Sequence, residues 1–415
     1  MIKKRILRGV RRGGWPFSLL LLLLLWPPLG VVEEQQPLLF AMVGDFTGET
    51  KSSNDALLLG LQAALADHPQ IQLQVEDHTY RLDRAAIAVN KLLSDSRLLG
   101  MVANTDTAAI EANLLQIVDQ GIPMIGFVSG SDHLRRATAV TSLNLRASFR
   151  QEVEAIVNAA LTHGFAIEEF CAYIQDDAYG MSGLRAIRAV IAEQPGSEAL
   201  TEGLDAVLAA PEGERNNLGP VGTYTRTTLV SRPGYDSLKG WEATQGSQCR
   251  LVLTVGVYSS LTKFIGYSRY RGEDWVVATL STAGMESFAE AYQLFEMDDL
   301  IAWRVVMAQS VPVLETFRPV VRDAMRILGD DYGSYPLEGY LIGRFLVALV
   351  EAAAEQERLT PAGLLATAQG QRFDLGGFVV DFSAGNQGSN YVSLVTLTAD
   401  GWRPMRVAQW AEWTR

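Results

Sequence analysis

Seven segments between Leu38 and Val128 alternate between short apolar runs and longer stretches with helical spacing, and few folds accommodate that order. Leu38–Val43 reads as a strand. Ala56–Asp67 reads as a helix, with Leu57, Leu58, Leu61 and Ala64 marking its apolar face. Ile71–Glu76 alternates as a strand through Ile71, Leu73 and Val75. Asp83–Ser94 is helical, Leu98–Ala103 a strand, Ala108–Gln120 a helix and Pro123–Val128 a strand. Strands separated by helices of this length pair in parallel through right-handed crossovers. The spacing therefore predicts an α/β fold.

The order then restarts. Helices are expected at Gln151–His163, Ser182–Glu193, Tyr235–Ala243 and Leu261–Tyr270. Strands are expected at Phe170–Gln175, Val221–Val230, Arg250–Val255 and Trp275–Leu280. Pro195–Pro220, rich in Gly, Pro and Glu, reads as an irregular insertion. The last hundred residues do not begin a third unit. Ala302–Val311 is an apolar strand stopped by Pro312, Glu315–Leu328 is amphipathic, Leu337–Gln356 is a long helix and Pro361–Ala368 a short one. Phe378–Asp381 and Tyr391–Leu397 read as strands paired around the turn Phe382–Ser389. These pieces must return to sheets already laid down. Two lobes joined by several crossings make a hinged cleft, a usual place for a small-molecule site.

The start of the chain reads as an export signal. Six Lys and Arg residues occupy positions 3–12, with no acidic residue before Glu33. Phe17–Trp26 is nearly all Leu, and Pro27, Pro28 and Gly30 break it. Residues 1–32 are therefore expected to be a signal peptide, either cleaved or retained as an anchor. Removing them takes away six of the 35 basic residues and none of the 47 acidic ones, which leaves a net charge of −18. Such a surface repels nucleic acid and anionic lipid. Export also permits a disulfide, and the chain has two cysteines, Cys171 and Cys249. Two cysteines without CxxC spacing and four histidines scattered along the chain do not make a zinc site. Neither a G-x-S-x-G elbow nor a dinucleotide or P-loop glycine pattern occurs. An enzyme is not expected, and no cofactor or metal is implied.

The loop after the first strand, Gly44–Asn54, carries Thr47, Thr50, Ser52, Ser53 and Asn54. In an open α/β sheet such strand-end loops are where ligands bind, and the next helix start offers free N–H groups. An ordinary strand-to-helix turn explains the same residues. Thr105, Thr107, Ser129 and Ser131 likewise read either as ligand-facing hydroxyls or as helix caps and turn residues.

The carboxyl-terminal third carries a run of short signatures: Val311-Pro312 after an apolar strand, Leu337-Glu338-Gly339-Tyr340, Asp374-Leu375-Gly376-Gly377, Asp381-Phe382-Ser383, Gln387-Gly388-Ser389 and Tyr391-Val392. Together with Gly44-Asp45-Phe46-Thr47-Gly48 near the start, their order and spacing resemble the type 1 periplasmic binding proteins. The likeness is to the leucine/isoleucine/valine-binding branch and runs over about residues 37–405. The resemblance implies two Rossmann-like lobes with parallel sheets joined by a three-segment hinge. The N-terminal lobe would comprise 37–144 plus about 312–375. The C-terminal lobe and crossing strands would comprise about 145–311 plus 376–415.

The resemblance also implies ligand contacts at Ser53, Thr105, Thr107, Ser129, Ser131, Tyr179, Tyr258 and Thr282, with Arg146 near the first crossing. One departure matters. Amino-acid binders of this branch place an acidic residue in the loop that here reads Leu280-Ser281-Thr282-Ala283-Gly284-Met285. An unpaired buried ammonium is costly. Either Asp176, Asp177 or Glu286 takes that role, or the solute is not an α-amino acid. In the doubly wound order, Cys171 and Cys249 start neighbouring strands, so they read as a disulfide or as two small buried side chains.

The function implied is that of a periplasmic, monomeric solute receptor of an ABC-type importer. It would bind an amino acid, amide or small carboxylate and dock on inner-membrane permease subunits. The alternative is a sensory or regulatory binding protein that signals to a membrane partner.

Overall fold

The computed structural model describes residues 36–293 and 303–414; the expected signal peptide lies outside them. The first sheet is built from β1 (Leu38–Gly44), β2 (Ile71–Asp77), β3 (Leu98–Val102), β4 (Met124–Ile125) and β5 (Ser142–Leu143). They lie in the order β2-β1-β3-β4-β5, all parallel. Helices α1 (Lys51–Leu65), α2 (Leu82–Leu93) and α3 (Thr107–Asp119) make the crossovers.

The chain then enters the second lobe through α4 (Phe149–Thr162). Its elements are β6 (Phe170–Gln175), α5 (Ala178–Ile191), α6 (Glu198–Ala209), β7 (Val221–Tyr224), α7 (Arg232–Gln245), β8 (Leu251–Val255), α8 (Tyr258–Tyr270), β9 (Val276–Thr279), α9 (Met285–Gln293) and β10 (Val305–Gln309). It returns to the first lobe with α10 (Pro319–Leu328) and α11 (Ser334–Glu355), which pack on α1. After α12 (Pro361–Ala368), β11 (Arg372–Asp374) and β12 (Val379–Asp381), it crosses again. It ends in β13 (Ser393–Thr398), β14 (Gly401–Pro404) and α13 (Val407–Trp413). The second sheet runs β14-β13-β10-β9-β8-β6-β7, parallel except at β13 and β14. The fold is thus α/β, with two lobes of mainly parallel sheet and three passages between them.

Three local expectations are corrected. Pro195–Pro220 contains the helix α6, which buries Leu200, Leu204 and Val207. That helical spacing was obscured by the Gly- and Pro-rich flanks. The strand expected at Val221–Val230 stops at Tyr224, because the chain turns at Thr225–Thr228 and Thr227 takes a left-handed conformation. Phe378–Asp381 does not pair with Tyr391–Leu397. β12 pairs instead with β11 across Gly376-Gly377, where both glycines have positive φ and Asp374 accepts their two N–H groups. β13 runs antiparallel to β10.

Two glycines hold α1 against α11. A Cβ at Gly60 would lie 1.9 Å from the Pro336 carbonyl oxygen, and one at Gly339 would lie 2.0 Å from that of Leu57. The two backbones therefore touch, which ties the middle of α1 to the first turns of α11. Cys171 in β6 and Cys249 just before β8 form a disulfide, with Cα atoms 5.6 Å apart.

Candidate functional site

The cleft site is assembled from strand-end loops, each held by its own short polar contacts. In the first loop the Asp45 carboxylate accepts from the N–H groups of Gly48 and Thr50 and from the Thr50 hydroxyl. This starts α1 five residues earlier than expected, so Ser53 and Asn54 sit in its first turn. The Asn54 side chain donates to the Thr50 carbonyl (2.9 Å) and accepts from the Thr105 hydroxyl (2.5 Å). After β2, Asp77 accepts from the Phe46 and Thr79 N–H groups and from the Thr47 hydroxyl. Thr79 and Tyr80 have φ of +50° and +57°, and Ala103 and Asp106 have +55° and +67°. Left-handed conformations at non-glycine residues cost on the order of 1 kcal/mol each and gather at binding sites. Here they aim Tyr80 and the start of α3 into the cleft.

From the second lobe, the Tyr179 hydroxyl meets Thr282 Oγ1 at 2.7 Å and donates to the Gly256 carbonyl at 3.3 Å. Tyr335, on α11, donates to the Thr282 carbonyl at 3.0 Å. The resulting cavity encloses roughly 520 Å³, counting the part open to solvent. Its hydroxyl and amide groups come from Thr50, Ser53, Asn54, Thr105, Thr107 and Thr282. Its walls are Tyr80, Tyr179, Tyr258 and Tyr335, with Val128, Val257 and Ala283, and its one carboxylate among the described residues is Asp106.

Six of the eight expected contact residues line this cavity: Ser53, Thr105, Thr107, Tyr179, Tyr258 and Thr282. Ser129 and Ser131 do not. Ser129 Oγ faces Thr107 Oγ1 at 2.9 Å and accepts from the Ser131 N–H, so it supports the lining from behind. Ser131 caps a single helical turn and donates to Glu111. Tyr80, Asp106 and Tyr335 were missed. Tyr80 and Asp106 follow strands as the other loops do and were open to the same reasoning. Tyr335 comes from a helix far along the chain, and no local signal marks it.

The two lobes touch across the cleft. Arg226, just after β7, donates to both carboxylate oxygens of Asp106 (2.5 and 3.3 Å), to Asp177 (2.9 Å) and to the Tyr80 carbonyl (3.0 Å). Its guanidinium carbon lies 3.5 Å from the centre of the Tyr80 ring. Burial works against this charge, yet Asp106, Tyr80 and Asp177 outweigh it and hold the guanidinium above its ordinary value. Ser52 meets Ser287 at 3.0 Å, and the Ser259 hydroxyl donates to Glu49 at 2.7 Å. This is a closed arrangement.

Behind the cavity lies a second polar cluster, at the crossings. Arg146, 2% exposed, stands 3.8 Å from Glu152 and 3.6 Å from Glu338 and donates to the Ser281 hydroxyl. Glu152 also accepts from the Ser281 N–H and from the Ser281 and Ser310 hydroxyls. Burial pushes the Glu338 carboxyl up from its ordinary value, against the pull of Arg146.

The three acids considered as ammonium partners are otherwise engaged. Asp176 pairs with Arg215 and the Gly213 N–H. Asp177 caps α5 and meets Gln175 and Arg226. Glu286 accepts from the Ser334 N–H and hydroxyl. Among the described residues no group of three or more His, Cys, Asp or Glu is placed to hold a metal, and no helix is long and apolar enough to cross a membrane.

Residues 37–207 match the family model described as periplasmic binding protein. A comparison with curated proteins found no match. Among solved structures, a possible leucine/isoleucine/valine-binding protein from Rhodopirellula baltica is 23% identical, with a TM-score of 0.75 over 90% of this chain and 97% of that one. An extracellular ligand-binding receptor from Verminephrobacter eiseniae is 21% identical (TM-score 0.70; 89% and 100% covered). A branched chain amino acid ABC transporter structure from Thermus thermophilus, with bound valine, is 14% identical (TM-score 0.70; 90% and 96%). The described chain thus carries the type 1 periplasmic binding protein fold, and its residues 37–207 are similar to the periplasmic binding protein family model.

Proposed function

We propose that this protein is an extracytoplasmic solute receptor that hands a small polar solute to the permease subunits of an ABC-type importer. The observation that carries this reading is the cavity between the lobes. Polar groups of both lobes and four tyrosine rings converge there on a space suited to one small molecule. Solute would enter an open cleft, bridge the lobes and favour closure, so that the permease meets a shape that reports occupancy. No catalytic step is assigned. The Verminephrobacter structure is described as a receptor, and a sensory protein signalling to a membrane partner is the alternative reading.

A thermal-shift screen over amino acids, amides, urea and aromatic acids tests the proposal, because ligand that binds only the folded state raises the melting temperature. Ser53 is 7% exposed in the first turn of α1 and faces the cavity. Ser53→Trp should abolish the shift and leave the ligand-free melting temperature within a few degrees. A screen in which no small solute moves the melting temperature removes the receptor reading.

A further inference from the structure

We propose that the cavity takes a solute without an ammonium group, namely a carboxylate or amide head on an apolar body the size of a ring or a branched chain. This rests on the receptor reading and narrows it.

The argument starts from what a buried ammonium needs. It brings three donors and a positive charge, and left unpaired it is costly. Among the described residues Asp106 is the one carboxylate lining the cavity, and both its oxygens already accept from Arg226. That contact crosses the cleft, so the closure that would trap a solute is the same closure that neutralises the acid. Asp176, Asp177 and Glu286 are held elsewhere, as described above. The carbonyl oxygens of Thr282 and Gly256 each accept one hydrogen bond, from Tyr335 and Tyr179, and what acceptor capacity they keep carries no charge to pair an ammonium. The nearest rival is Glu49. It does not line the cavity, and one of its oxygens accepts from Ser259, but its other oxygen is buried with no partner.

What the cavity does offer suits the opposite end of a molecule. α3 begins at Thr107, and the N–H groups of its first turn have no carbonyl within the helix. They open beside the hydroxyls of Thr105 and Thr107, a setting that accepts a carboxylate or an amide oxygen. The hydroxyls of Tyr80, Tyr179 and Tyr335 are bound to Gln175, Thr282 and the Thr282 carbonyl respectively. The rings therefore present carbon to the solute, and Val128, Val257 and Ala283 complete an apolar wall.

Matched pairs isolate the ammonium: 4-methylpentanoate against leucine, and 3-phenylpropanoate against phenylalanine, with the amide of each acid as a third arm. Calorimetry at neutral pH on the full chain measures each. The acid or amide should bind at least roughly tenfold more tightly than the amino acid, the penalty for one unpaired charged group. Affinities within tenfold, or tighter binding of the amino acid, overturn the proposal. If leucine or phenylalanine binds and Glu49→Gln abolishes it, Glu49 is the ammonium partner and the proposal also falls.

Thr282→Asp places a carboxylate in the wall and should move the preference at least roughly tenfold toward the amino acid. An unmoved preference in a Thr282→Asp protein with wild-type melting temperature shows that rejection does not come from the missing acid, and overturns the argument. The two readings fail differently. If a broader screen finds ammonium-bearing solutes only, the receptor stands and this inference falls. If no solute binds, the receptor reading itself is lost, and this inference with it.

Discussion

Arg226→Ala is the substitution that most directly tests how the cleft stays shut. The guanidinium is 13% exposed, and its partners Asp106 and Asp177 are 3% and 7% exposed. Removing one member of a buried ion pair costs about 3–5 kcal/mol, because the other charge is left without a partner. Asp177 keeps Gln175 and the Gly180 N–H, so most of the loss falls on Asp106. Asp106 belongs to the opposite lobe and regains water when the lobes part. The loss therefore bears on the closed form rather than on either lobe alone. Taking the lower end, about 3 kcal/mol, a solute held only by the closed form should bind roughly a hundredfold more weakly. Calorimetry with the strongest solute from the thermal-shift screen reads this directly. Small-angle scattering of the ligand-free variant should show a larger radius of gyration than wild type. A double-mutant cycle with Asp106→Asn isolates the pair, and the expected coupling is about 2 kcal/mol. An affinity loss under about threefold, or the same loss in the Asp106→Asn background as in wild type, would refute the reasoning.

Three further outcomes are expected. Glu152→Gln should destabilise by roughly 3 kcal/mol, since it loses the charge facing Arg146 and turns an amide toward three donors. Glu338→Gln should cost less, because burial already pushes that carboxyl up from its ordinary 4.5; equal melting temperatures for the two variants would contradict this. His78 is fully buried with both ring nitrogens lacking a hydrogen-bond partner, and burial lowers it from its ordinary 6.5. The unfolded chain then takes up its proton first. The contribution of His78 to stability is full above 6.5 and is lost as pH falls through the lowered value. The drop in melting temperature between about pH 7.5 and about pH 5.5 should be smaller in His78→Asn than in wild type, and an equal drop would count against a buried neutral ring. The Cys171–Cys249 bridge spans 78 positions, for which reduction should cost about 4.5 kcal/mol. Melting with and without reductant measures this, and equal thiol titration of the unfolded chain in both conditions would show that no bridge exists.

Much of the cavity lining was legible because the family resemblance pointed to these loops, and strand-end loops in this architecture face one cleft. Ser53, Thr105, Thr107, Tyr179, Tyr258 and Thr282 all follow strands or open helices, and all line the cavity. Ser129 and Ser131 occupy an equivalent loop. Which way that loop's hydroxyls turn is set by Thr107 and Glu111 on the neighbouring helix, not by its own residues. Tyr335 enters because α11 packs on α1 through Gly60 and Gly339, a contact between positions almost three hundred residues apart.

By itself the sequence determined the α/β class, the number of lobes and the strand-end loops that meet at the cleft. The class follows from hydrophobic period and turn chemistry, which act over a few residues, the two lobes from the chain's length and the restart of its element order, and the cleft loops from the family resemblance. Only the tertiary structure decided that Asp106 is not free. A carboxylate's availability depends on what the other lobe brings to it, and Arg226 stands 120 positions away in sequence and 2.5 Å away in space.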